Sequence, residues 1–146
     1  MANARNFFTK EQQSAIVEAI KEAELNTSGE IRVHLDSRCR KSTLDRAVEV
    51  FRMLKMDKTE QRNGVLFYLS VKDRKFAIIG DEGINKVVES DFWEDIKNAM
   101  SENFAKGDFV AGLTEGIRRS GAKLKKHFPI QPDDVNELSD EISFDK

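Results

Sequence analysis

Cysteine occurs once in these 146 residues, at Cys39, so no internal disulfide can staple the chain. Proline occurs twice, at Pro129 and Pro132, both close to the C-terminus. No stretch approaches the roughly 20 apolar residues that span a bilayer. The opening Met1-Ala2-Asn3-Ala4-Arg5-Asn6-Phe7-Phe8 has no apolar core of signal-peptide length. The sequence therefore reads as cytoplasmic, with no membrane span. The net charge is only −2, which gives no electrostatic case for nucleic acid.

Familiar catalytic signatures are also missing. There is no phosphate loop, no dinucleotide fingerprint and no Gly-x-Ser-x-Gly elbow. Cys39 has Asp45 six residues on, where a thiolate phosphatase loop carries Arg. The two histidines, His34 and His127, stand apart from the cysteine and suggest no zinc site.

What is present is a folding pattern. An apolar fraction of 39% with ten Phe is enough for one buried core. Thr9 and Gln12 have capping-box spacing, and Ile16, Ala19, Ile20 and Ala23 follow at helical spacing, which predicts a helix over 10–25. Glu30 to Asp36 alternates strictly, with Ile31, Val33 and Leu35 on one side. That predicts a half-buried strand whose Glu30, Arg32, His34 and Asp36 face outward. Leu44, Ala47, Val48, Phe51 and Leu54 then share a helical face.

Val65 to Leu69 is an unbroken apolar run of β-formers and predicts a strand buried on both faces. Lys72-Asp73-Arg74 turns the chain, and Phe76 to Ile79 returns as the second arm of a hairpin, ending at Gly80-Asp81-Glu82-Gly83. Two helices follow, one striped by Trp93, Ile96, Met100 and Phe104, the other by Val110, Leu113, Ile117 and Leu124. Pro129 stops the second. From Pro129 onward there are six acids and one Lys, which predicts a single domain over 1–128 and an acidic, mobile tail over 129–146. Such a tail suits recruitment of a basic protein partner.

A strand, a helix and a strand in succession argue for a parallel pair joined by a right-handed crossover. Both strands then begin at one end of the sheet, and the hairpin ends there. Glu30, Asn63, Asp81 and Glu82 converge at that end; Asp108 and Asp91 join them if their helices start there. Oxygen ligands in one place suit a hard cation such as Ca²⁺ or Mg²⁺. The plainer reading is that Asp91 and Asp108 are N-caps and Asp81-Glu82 a solvated turn.

Four short segments resemble the TPM domain family. They are Ser28-Gly29-Glu30-Ile31-Arg32-Val33; Asn63-Gly64-Val65-Leu66 with Asp73-Arg74-Lys75; Gly80-Asp81-Glu82-Gly83-Ile84; and Lys106-Gly107-Asp108-Phe109-Val110-Ala111-Gly112-Leu113. The resemblance implies an α/β fold, a three-layer α/β/α sandwich with a small mixed central sheet. In chain order that is a β-α-β-β-α-α core preceded by an N-terminal helix. It implies a groove at one sheet end that binds a divalent metal, calcium first and Mg²⁺ second, on Asp81, Glu82 and Asp108 with Glu30 and Asn63 beside them. It also implies two activities: a non-catalytic assembly or repair module, or an acid phosphatase. For a metal-assisted phosphatase, Arg62 and Arg74 are the candidates to hold phosphate oxygens, and the topology favours Arg62, at the acidic end, over Arg74 at the far end. A plain protein-interaction scaffold is the third reading. The sequence departs from the family in lacking the signal, the anchor and the Gly-rich tail of many members.

Overall fold

The structure is a computed structural model that describes residues 3–131 and 137–145. Its first helix, α1 (Lys10–Glu24), starts where the sequence places it. The Thr9 hydroxyl accepts from the Gln12 amide at 3.1 Å, and the Gln12 side chain accepts from the Thr9 amide at 2.9 Å. Strand β1 (Glu30–Asp36), helix α2 (Thr43–Met53) and strand β2 (Gly64–Ser70) form the parallel crossover. Glu30 aligns with Gly64 and Asp36 with Ser70. Strand β3 (Lys75–Gly80) closes the antiparallel hairpin, with Val65 opposite Gly80. After it come a short helix α3 (Glu82–Asn85), then α4 (Phe92–Ala105) and α5 (Phe109–Leu124).

The sheet order is β3-β2-β1-β4, where β4 (Ser143–Phe144) lies parallel to β1 with His34 opposite Ser143. The expected sandwich is therefore present, with a fourth strand from the C-terminal segment. Ile31, Val33, Leu35, Val65, Phe67 and Leu69 face the larger core, against Ile16 and Ile20 of α1, Ile96 and Met100 of α4, and Leu113 and Ile117 of α5. Leu66 and Tyr68 face the smaller core with Ala47, Val50 and Phe51 of α2 and Met56. Each such aliphatic side chain stabilises the fold by about 1.5–3 kcal/mol through burial.

Two expectations change. The outward face of β1 is not solvated: Glu30, His34 and Asp36 are 4%, 2% and 2% exposed. Residues 137–145 lie along β1 and cover that face, while Arg46 of α2 reaches Asp36 from the other side. The acidic tail expected over 129–146 is therefore partly built into the sheet. Its residues 132–136 and Lys146 lie outside the described residues.

Candidate functional site

The acidic sheet end is set by backbone pairing. The Glu30 amide donates to the Asn63 carbonyl at 3.3 Å, and the Asp81 amide donates to the Gly64 carbonyl at 2.9 Å. Glu30, Asn63 and Asp81 thus sit at one end, as the topology predicts. Their side chains then part. The Asn63 amide group donates to the Ser28 hydroxyl at 3.4 Å. Glu30 turns onto the C-terminal segment, where its carboxylate accepts from the Glu137 and Leu138 amides at 3.2 and 3.0 Å. Burial raises the Glu30 pKa, with those two amides opposing it.

Asp81 and Glu82 stay together through Arg62. Asp81, 6% exposed, accepts from Arg62 Nε at 2.8 Å and Nη2 at 3.0 Å, and it also caps the Glu82 amide at 2.8 Å. Arg62 Nη1 donates to Glu82 at 3.1 Å. The Arg62 backbone is left-handed, with φ of 52°. Its carbonyl accepts from the Gly83 amide at 2.9 Å, so the two loops are clamped at both backbone and side chain.

Asp108 is at the opposite end, which corrects its grouping with Asp81. It caps α5 by accepting from the Ala111 amide at 3.0 Å. The neighbouring Phe109 ring lies 4.9 Å under the guanidinium of Arg74, in the β2–β3 turn. The C-terminal residue of α5, Leu124, instead packs at Gly29, just before β1. So α5 starts at the far end, and the condition for Asp108 to join the cluster is not met. Asp91 precedes α4 and makes no side-chain cap.

The five residues proposed from sequence therefore do not form one oxygen cage. Among the described residues no group of three or more His, Cys, Asp or Glu side chains is arranged to hold a metal. Asp81 and Glu82 remain together as a carboxylate pair bridged by the Arg62 guanidinium.

The more elaborate constellation lies at the carboxyl end of β1. Asp36 accepts from Arg46 Nε at 2.7 Å and Nη2 at 3.2 Å, from the Tyr68 hydroxyl at 2.5 Å, and pairs with His34 Nε2 at 2.7 Å. The other ring nitrogen of His34 meets the Ser143 hydroxyl at 2.9 Å. Burial works against the Asp36 charge, but His34, Arg46 and Tyr68 outweigh it and hold the carboxyl far below its usual range. Burial and Asp36 push the Tyr68 phenol far above its usual range. Arg46 also binds Glu49, which takes Lys41 Nζ at 2.8 Å. A carboxylate held this deeply in its charged form is a poor proton acceptor near neutral pH.

Cys39 sits beside this network. Its thiol donates to the Lys41 carbonyl at 3.1 Å, and its amide donates to Asp73 at 2.6 Å. Asp36, Arg38, Cys39, Arg40, Lys41, Arg46, Glu49 and Asp145 line a small cavity of about 240 Å³ here. In the sequence, His34 and Asp36 on one strand face were the signal for this network. Tyr68, level with His34 across the parallel pair, completes it through register alone.

Comparison with known proteins adds the following. A family model described as the TPM domain matches residues 1–123. The solution structure of the BA42 protein from the psychrophilic bacterium Bizionia argentinensis is 48% identical, covers 99% of this chain and 100% of its own, and superposes with a TM-score of 0.93. The N-terminal domain of a P. gingivalis protein is 15% identical, covers 86% of this chain and 83% of its own, and has a TM-score of 0.67, a likeness of fold alone. No curated protein matches the chain. Among the described residues no helix is long and apolar enough to cross a membrane.

Proposed function

This chain belongs to the TPM domain family, and on that premise we propose that it is a non-catalytic binding module of the assembly or repair type. In this reading a divalent cation, Ca²⁺ first and Mg²⁺ second, competes with Arg62 for Asp81 and Glu82. One observation carries it: two adjacent carboxylates, one buried, are held together by a single guanidinium that is itself 39% exposed. A cation that displaced Arg62 would complete its shell with water, so two carboxylates give weak binding rather than a permanent structural ion. Displacement would also release the side-chain half of the clamp between 61–62 and 81–83, leaving the Gly83–Arg62 backbone bond, and so couples cation binding to the side chains exposed at this sheet end.

The non-catalytic part of the proposal rests on the state of the titratable groups at the other end. Asp36 is held ionised by three donors, and both His34 nitrogens are engaged. The test has two arms. Ca²⁺ titration, followed by backbone amide resonances, should perturb 61–63 and 81–84 in a saturable way. Hydrolysis of p-nitrophenyl phosphate, with or without that metal, should stay at the level of the buffer. Metal-dependent turnover would favour the phosphatase instead.

A further inference from the structure

The end of the sheet away from Asp81 and Glu82 carries two short loops, 37–41 after β1 and 71–74 after β2, and they are locked together. The Val71 amide donates to the Asp36 carbonyl at 2.9 Å, the Lys72 amide to the Ser37 carbonyl at 3.1 Å, and the Cys39 amide to the Asp73 carboxylate at 2.6 Å. Five cations stand on this platform: Arg38, Arg40, Lys72, Arg74 and Lys75. All five are exposed, and among the described residues none of them is in an ion pair. The acids at this end are mostly turned to other work. Asp36 is buried, Asp73 also accepts from the Ser70 hydroxyl at 2.7 Å, Asp145 accepts from the Ser37 amide at 2.7 Å, and Asp108 caps α5. Asp45, in the first turn of α2, is exposed and offsets one of the five charges.

We propose that this basic end is a docking surface for an anionic phospholipid bilayer, with the five cations against lipid headgroups and Leu44 entering the boundary beneath them. Leu44 is the second residue of α2, which starts at this end, and it is 56% exposed close in sequence to Arg40 and Lys41. An apolar side chain set among cations suits a partner that offers negative charge and hydrocarbon together, and a bilayer surface does. The acidic end does not oppose this contact. Strand β1 is seven residues long, so at about 3.3 Å per residue its other end is about 20 Å away. That is about two Debye lengths at 0.1 M salt, and the carboxylates there are screened from the lipid surface.

Nucleic acid fits this end less well. The rings beside the platform, Phe7 and Phe109, lie 6.0 and 4.9 Å from the Arg74 guanidinium, which occupies the faces on which single-stranded bases would stack. The cations are also spread around two turns rather than along a helix or a groove. Each Lys or Arg near an anionic bilayer contributes about fivefold in affinity, so five make a reversible, salt-sensitive contact.

The test is co-sedimentation of the full chain with vesicles of phosphatidylcholine, with and without about 30% phosphatidylglycerol. The chain should bind only the anionic vesicles at low salt and leave them at about 0.5 M salt. Arg40→Gln with Lys72→Gln should weaken binding at least about tenfold. Lys125→Gln with Lys126→Gln makes the same charge change after α5, at the opposite end, and should leave binding nearly unchanged. Leu44→Ala should weaken binding to anionic vesicles and leave its salt dependence in place. No binding to anionic vesicles, or an equal loss in the two double variants, overturns the proposal. Tighter binding to a single-stranded oligonucleotide than to vesicles of equal phosphate concentration also overturns it, and assigns the surface to nucleic acid.

Discussion

Asp36 and Arg46 are joined by two hydrogen bonds, Nε to Oδ2 at 2.7 Å and Nη2 to Oδ1 at 3.2 Å, across the seam between the end of β1 and α2. Asp36 is 2% exposed, so the guanidinium is a main compensation for a charge taken out of water. This pair ties the thinner layer, built on α2, to the sheet.

Arg46→Ala should therefore destabilise the fold by about 3 kcal/mol, because it strands a buried charge. The effect has a pH signature. The Asp36 carboxyl is depressed in the folded chain, so its contribution is present above its unfolded value, about 3.9, and is lost as pH falls through that range. Urea unfolding at neutral pH and near pH 3 checks this: the gap between wild type and variant should narrow in acid. A gap that is constant with pH would mean that Arg46 acts through packing.

Gly83 is the second place where the structure leaves no room. A Cβ there would lie 2.2 Å from the Gln61 carbonyl oxygen and 2.6 Å from that of Arg62, both backbone atoms. Gly83→Ala should force the two clamped loops apart and destabilise the chain by about 1–3 kcal/mol. Thermal unfolding reads the effect. An unchanged midpoint would show that the loops are not held as tightly as described.

Truncation after Gln131 tests the role of the C-terminal segment. The sequence reading predicts that removal of the tail leaves the fold intact. The structure predicts otherwise, since Glu30 loses two amide donors, His34 loses Ser143, and β1 gains an open edge. The truncated chain should unfold at a lower temperature and self-associate through that edge. A midpoint equal to that of the full chain would restore the simple tail.

Much of this fold was legible in the sequence, because its signals are local. The Thr9–Gln12 capping box, the alternation over Glu30–Asp36 and the apolar run Val65–Leu69 each locate an element within a residue or two. The sheet end shared by Glu30, Asn63 and Asp81 followed from the handedness of the crossover. What failed was long range. Whether Asp108 reaches that end depends on the direction in which α5 packs, and no local pattern encodes it. The alternation of β1 suggested a solvated polar face, because nothing in 30–36 shows that residues about 110 positions later return to cover it. Arg62 was read as a phosphate ligand near the acids. Its left-handed backbone and its grip on Asp81 required coordinates.

In the proposed function a divalent cation competes with Arg62 for Asp81 and Glu82. Thermal unfolding of metal-stripped wild type and Arg62→Ala, each titrated with Ca²⁺ and then Mg²⁺, tests it most directly. The account predicts that Arg62→Ala is less stable without metal. It also predicts that the variant gains a larger, saturable stabilisation with metal, about 2.7 kcal/mol at 100 times its Kd. Equal responses in the two proteins, or no response in either, would contradict the account and leave Asp81 and Glu82 as the structural partners of Arg62.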